Sequence, residues 1–534
     1  MKTVIKILCG FCVLFGSFLA VHAQPKLTSR ILLIPLDDRP PCLQFPVKMG
    51  LIGDADVVTP PRELLGRFTE FGRSDEIIAW LKRQNLRSFD AAIVSVDMLA
   101  YGGLVAMREY ETSIDTARRR ADFIRELRRI APKMPVYGSS VIMRLAPTGN
   151  IVNESYRTNL ARWAEVSADD TKRAETADLE KKIPAEALEK YKKARLRDLA
   201  LNLHVVDLVR EKVIDYLILS QDDAKPNGVH IADRERLIEY VKANNLGERV
   251  AIQPGADEVS MLLLARAISG KYHYHPKIKP IYSDEKIADQ FMPYEDRPLR
   301  KTVSFHIRAV GATEVENEKD ADILFYVFVS RFAEGQAKPF AERIAQDLKL
   351  GRRAIVADVD VKGDVQGGDM AFTEALLGSR MFSLISGYGA WNTAGNTIGT
   401  ALPNGVVYQT ARSNFGLSKH DPKKYTAVSK RVYNANAWFL MNRLLDDFAY
   451  HSIVRPKALQ KIRDSKWTSL RLNDEQTSVI EAFCLESMKG QAGKIAGEFG
   501  QNNSTPCSLQ NLKFDLPWNR PFEAEIDFTI SCKN

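Results

Sequence analysis

Short apolar runs alternate with amphipathic helical stretches along most of this chain, and that alternation restricts its fold more than any other feature. Residues 31–36, 57–59, 91–96, 136–143, 216–219 and 250–252 are rich in Ile, Leu and Val and too short for helices. Between them lie segments of helical period such as 113–130, where Thr116, Ala117, Ala121, Ile124 and Leu127 share one face among many arginines. Strand, helix and strand in this order imply βαβ units around a buried parallel sheet. Further strands are expected at 278–282, 303–307, 323–329, 354–359 and 382–385, and long helices at 185–211 and 427–454.

Nearly every strand candidate ends in polar or glycine-rich sequence. Asp37-Asp38-Arg39 follows the first, Asp97 the third, Arg144 the fourth, Asp222-Asp223 the fifth and Gly255-Ala256-Asp257-Glu258 the sixth, while GYGAWNTAGNTIG follows Ser386. In a doubly wound sheet only the loops near the switch point build a site, whereas in a (β/α) barrel all of them converge. The spread therefore favours an α/β fold with a TIM-like (β/α) barrel core, additional α/β elements and a small C-terminal module. Two doubly wound α/β lobes are the alternative. The corresponding divisions are 24–270 for an N-terminal βα-repeat part, 271–455 for a second α/β part completing the core, and 456–534 for the C-terminal module.

The 534 residues are 45% hydrophobic and 27% charged, enough for a large core. The net charge of +8 is spread without a long basic run, which disfavours nucleic acid as a partner. Residues 1–23 place Lys2 and Lys6 before an apolar stretch and the small-residue end Val21-His22-Ala23, the pattern of a secretory signal peptide. The mature chain is therefore expected in the periplasm or outside the cell, with no later stretch able to span a bilayer. Of six cysteines, Cys42, Cys484, Cys507 and Cys532 lie beyond that segment, and a disulfide between two of the last three is expected in an exported protein. Their spacing does not make a zinc site.

Asp222-Asp223 carries the sharpest chemical expectation. Two adjacent carboxylates repel, so one holds its proton to higher pH while the other stays ionised, and the pair can supply an acid and an orienting base. Asp257 and Glu258 precede a helical run, where a carboxylate either serves the chemistry or answers the helix dipole. Asp37, Asp38 and Arg39 read as a substrate clamp or as a turn ahead of Pro40-Pro41; Asp97 and Arg144 are single polar residues on strand ends. Tyr388 and Trp391 offer flat apolar faces beside the amides of Asn392 and Asn396, a combination that suits a pyranose ring. Asp358 and Asp360 share one side of a strand without EF-hand spacing. No G-x-S-x-G elbow, P-loop lysine or zinc-hydrolase histidine pattern accompanies these residues, and no cofactor or metal is expected.

The strand ending in Asp222-Asp223 resembles the catalytic strand of substrate-assisted β-N-acetylhexosaminidases, including bacterial relatives of O-GlcNAcase. That resemblance implies that Asp222 orients an acetamido group and Asp223 protonates the leaving oxygen. IPLDDRP, VDMLAYGGL, LSQDDAKPNG, PGADE and GYGAWNTAGNTIG together resemble a bacterial family catalogued as domain of unknown function 4127, from about Arg30 to about Val454. It matches its motifs at Asp37, Asp38, Arg39, Asp97, Asp222, Asp223, Asp257, Glu258, Trp391, Asn392 and Asn396. The leading expectation is an exported glycoside hydrolase acting on a sugar or glycan fragment. The alternatives are a non-catalytic periplasmic protein that binds a carbohydrate or other ligand, and a metal-dependent hydrolase.

Overall fold

The structure is a computed structural model that describes residues 27–532 apart from 151, 330, 332–334, 360–366, 417–425 and 501–506. The signal segment 1–23 and Asp360 lie outside the described residues. Eleven strands form two parallel sheets. The first comprises β1 (Ser29–Ile34), β2 (Ala55–Val58), β3 (Ala91–Ser95), β4 (Val136–Ile142), β5 (Tyr216–Gln221) and β6 (Val250–Pro254), in the spatial order β2-β1-β3-β4-β5-β6. The second comprises β7 (Lys277–Tyr282), β8 (Thr313–Glu314), β9 (Ile323–Phe328), β10 (Ala354–Asp358) and β11 (Gly387–Gly389), in the order β11-β10-β9-β7-β8. Read from the β8 edge, the second sheet repeats the 2-1-3-4-5 order of the first, the doubly wound arrangement with helices on both faces.

Among the described residues neither sheet closes, so the barrel expectation is corrected to two open α/β lobes. The helix after β6 shows why. Val259–Lys271, with the run VSMLLLARAIS, is buried on nearly every side, from Val259 through Ala265 and again at Ala267, Ile268 and Ser269. A helix on the outside of a barrel keeps a solvated face, and one that is apolar all round belongs in the middle of a protein. It packs against a second helix that is buried on nearly every side, Ala394–Phe415, and the two form the seam between the lobes.

The first sheet buries both faces. Leu32, Ile34, Val94, Leu217 and Leu219 point into a cluster with the helices Ile114–Ala121, Phe123–Ile130 and Ala185–Arg210. Ile31, Leu33, Ile93, Ile218 and Ala251 point the other way, into a core that continues through the seam into the second lobe. Each fully buried side chain of this size contributes roughly 1.5–3 kcal/mol, and the shared core ties the lobes together. The C-terminal residues join the same cluster: helix Asp474–Gly500 and the antiparallel pair β12 (Cys507–Asp515) and β13 (Glu525–Cys532) contribute Ile480, Met488, Phe514, Ile526 and Phe528.

Two strand expectations fail for identifiable reasons. Residues 303–307 lie in helix Leu299–Ala309, whose buried Leu299, Thr302, Val303, His306 and Ile307 recur at helical spacing. Residues 382–384 form a 3-10 turn, and the edge strand is the following Gly387–Gly389. That strand is glycine-rich because a Cβ on Gly387 would come 2.3 Å from the carbonyl oxygen of Ala401. The 427–454 helix changes character after Arg443, where Leu444–Val454 is π-helical.

Candidate functional site

The carboxyl ends of β1, β4, β5 and β6, the start of helix Ala394–Phe415 and segment 517–523 surround a cleft of about 340 Å³. Such a place, where polar strand ends meet a second element, is where open α/β sheets bind ligands. Two walls of opposite character face each other across it.

One wall is built on Arg39, at the end of β1. Its guanidinium donates to Asp37 at 2.7 Å, to Asp257 at 2.6 Å and to Glu523 at 3.0 Å, and it stacks 4.7 Å from the Trp518 ring. Burial works against its charge, but Asp257, Asp37 and Glu523 outweigh burial and hold the proton firmly. The price falls on the acids: burial lifts Glu523 to about 7, and burial with the Asp37 charge raises Asp257 despite Arg39. Trp518 is held from behind, its indole N–H donating to Asp38 at 2.7 Å. It adopts a left-handed backbone, φ 60° and ψ 22°, a strained state for a bulky residue that tends to mark functional sites.

The other wall carries Arg108, Arg144 and Arg157, and a fourth arginine, Arg520, reaches toward them from the segment of Trp518 and Glu523. Arg108 donates to Asp222 at 2.5 Å and to the Thr148 hydroxyl at 2.9 Å; Arg144 donates to Asp223 at 2.7 Å and to the Ala146 carbonyl at 2.7 Å. Arg157 lies against Gly149, and Arg520 enters from the C-terminal segment. These contacts make the two aspartates unequal. Burial would raise Asp222, yet the charges of Arg108 and Arg144 prevail and hold it below the ordinary carboxylate range. Asp223 moves up, through burial and then the charge of Asp222, against the opposing arginines. Its side chain is 36% exposed to the cleft, whereas that of Asp222 is 7% exposed. The arrangement therefore offers a fixed carboxylate beside an accessible one that keeps its proton longer.

Of the residues singled out from sequence, Arg39, Arg144, Asp222, Asp223, Asp257, Asn392 and Asn396 line the cleft. Asp37 and Asp38 stand one layer behind, holding Arg39 and Trp518. Four others are elsewhere. Glu258 turns into the seam, where it accepts from the Ala256 N–H at 2.9 Å and meets His306 at 3.3 Å. Asp97 is sealed beneath the sheet, accepting from the Val141 N–H at 3.0 Å, and burial lifts it to about 7. Tyr388 and Trp391 are core residues: the Tyr388 hydroxyl is 3.2 Å from that of Thr373, and Trp391 donates to Thr400 at 3.0 Å. The aromatic groups at the cleft are instead Tyr294, Trp518 and Phe522. Arg108, Arg157, Glu295, Arg520 and Glu523 were also missed. Glu295 ties two parts of the second lobe together, accepting from the Gly395 N–H at 2.6 Å and from the Thr302 hydroxyl at 2.9 Å, and burial raises it to about 7.

Among the described residues, no group of three or more His, Cys, Asp and Glu is placed to hold a metal ion. No described helix is long and apolar enough to cross a membrane. Fold and cleft define a two-lobed α/β protein with a polar inter-lobe site. The chain belongs to the family described as Protein of unknown function (DUF4127), which matches residues 31–527. No curated protein matches it.

Proposed function

We propose that this protein is an exported glycoside hydrolase whose acidic centre is Asp222-Asp223, with Asp223 as the general acid and Asp222 as the ionised partner. The observation that carries the reading is the opposite displacement of the two acids on one strand end, with the higher one open to the cleft. Asp223 delivers its proton to the leaving oxygen while Asp222, fixed by Arg108, stabilises positive charge or orients a substrate acetamido group. Asn392 and Asn396 supply donors and acceptors for hydroxyls, and Trp518 supplies a flat face. A cleft of about 340 Å³ suits a mono- or disaccharide-sized ligand.

A screen of nitrophenyl glycosides, N-acetylhexosaminides included, tests the reading with wild type and Asp223→Asn. Turnover that depends on Asp223 supports it; turnover unchanged by the substitution removes Asp223 as the acid. One observation favours a second reading, a binding protein without turnover: two lobes of the same strand order flank the site, the geometry of ligand clamps. Sugar binding with no hydrolysis of any glycoside would support that reading.

A further inference from the structure

Arg108, Arg144, Arg157 and Arg520 bring more charge to this part of the cleft than the Asp222-Asp223 pair neutralises. Arg108 and Arg144 are each matched to one aspartate, but among the described residues Arg157 and Arg520 form no ion pair. The Arg157 side chain rests on Gly149, with its Nε 3.4 Å from the Pro147 carbonyl, so the group is built into the loop after β4 rather than free in solvent. Arg520 sits between aromatic rings, 4.9 Å from Phe68 and 5.5 Å from Phe522, within reach of the cleft. Its nearest acid, Glu523, is already held by Arg39. Burial and then the charge of Arg144 lower Arg157, and burial pushes Arg520 down to about 10. Gathering like charges in a half-buried site costs stability unless something anionic sits among them.

We infer that the cleft takes a sugar carrying an anionic substituent, a carboxylate, phosphate or sulfate, seated between Arg157 and Arg520. The planar forks of two guanidiniums suit the oxygens of such groups. The opposite wall, with Arg39 enclosed by Asp37, Asp257 and Glu523, repels a second anion and so fixes which end of the ligand enters where. The inference deepens the glycosidase reading, because it names the substrate class for that site.

Calorimetric binding of four probes tests it: glucuronate, glucose 6-phosphate, glucose 6-sulfate and neutral glucose, with wild type, Arg157→Gln, Arg520→Gln and the double variant. At least one anionic sugar is expected to bind wild type about tenfold or more tightly than glucose, with about tenfold lost per arginine removed and the preference weakened by salt. The three anionic probes distinguish carboxylate, phosphate and sulfate. Equal binding of glucose and the anionic sugars to wild type, or no binding of any anionic probe, overturns the inference. So does a preference that survives in a folded double variant. Should the double variant fail to fold, the wild-type comparison and the salt dependence decide alone. An anionic preference without turnover of any glycoside would keep this inference and remove the hydrolase reading, so the two fail separately.

Discussion

The backbone N–H of Asp223 donates to the carboxylate of Asp222 at 2.9 Å, so the two acids are tied by a bond that favours charge on one of them. Asp222 is the one that stays ionised, with Arg108 on its other oxygen. If Asp223 is the acid, Asp223→Asn lowers turnover about 10²–10⁴-fold with little change in binding. Because Asp223 is raised, its protonated form is lost as pH rises through that higher value. The wild-type rate should therefore fall on the alkaline side, and this limb should move to higher pH when Arg108→Gln removes a positive charge that lowers both acids. A rate that is flat across that limb would count against Asp223 as the acid.

Trp518 combines a strained backbone with two anchors, the Asp38 carboxylate and the Arg39 guanidinium. Trp518→Ala should weaken sugar binding about tenfold while leaving the left-handed backbone in place. Trp518→Gly removes the same ring but relieves roughly 1–2 kcal/mol of backbone strain. The glycine variant should therefore bind as poorly as alanine and unfold later in a denaturant titration. Equal stability of the two would mean the strain is absent.

Much of the fold was legible because parallel strands buried on both faces read as continuous apolar runs, as 31–36 and 216–219 do. The glycine strand Gly387–Gly389 was not, since its place depends on close approach to Ala401 and Gly405 rather than on β propensity. The apolar run within Val259–Lys271 is the sequence mark of a central helix, and weighing it above the spread of polar strand ends would have favoured two lobes over a barrel, whereas 394–407, with Asn396, Thr397, Thr400 and Asn404, is buried all round without being apolar. Within the site, strand ends pointed correctly to Arg39, Arg144, Asp222, Asp223 and Asp257. Local sequence cannot distinguish an aromatic that lines a cleft from one that fills a core, and so Trp391 stood in for Trp518. Glu523 lies 484 residues beyond Arg39, the strand end that it meets, a contact that only the fold creates.

Glu258 is predicted to matter for folding rather than chemistry. A Cβ at Gly399 would come 2.0 Å from its Cγ, and a Cβ at Gly255 would come 1.9 Å from its Oε1, so the side chain is wedged between two glycines. Gly399→Ala should cost about 1–3 kcal/mol by overpacking. Glu258→Gln keeps the shape and the bond from Ala256, and should cost less while leaving turnover per folded molecule unchanged. Denaturant midpoints and active-site titration check both, and a collapse of turnover in folded Glu258→Gln would return Glu258 to the chemistry.

Asp97, Glu295, Asp447 and Glu523 are each raised to about 7, burial being the first cause in every case. Each binds its proton more tightly in the folded chain than in the unfolded one, where carboxylates titrate near 4. Their contribution to stability is fully present below about pH 4 and is lost as pH rises through about 7. The melting temperature should therefore be higher near about pH 5.5 than near about pH 8, by several degrees. Asp97→Asn should flatten part of that dependence, because an amide carries no charge to bury. An unchanged slope in this variant would assign the dependence to the other three acids.

Cys484 is free and buried in helix Asp474–Gly500, which leaves Cys507 and Cys532 as the remaining pair. The backbone register of β12 and β13 sets Cys507 directly opposite Cys532. Antiparallel partners have Cα atoms about 4.5–5.5 Å apart, within the span a disulfide bridges. A Cys507–Cys532 bond would close residues 508–531 and stabilise the chain by about 3 kcal/mol through the unfolded state. Peptide mapping of protein recovered from the cell envelope without reductant should show the crosslinked pair, and Cys507→Ser should lower the unfolding midpoint to that of the reduced wild type. Two free thiols in protein isolated from that compartment would count against the bridge.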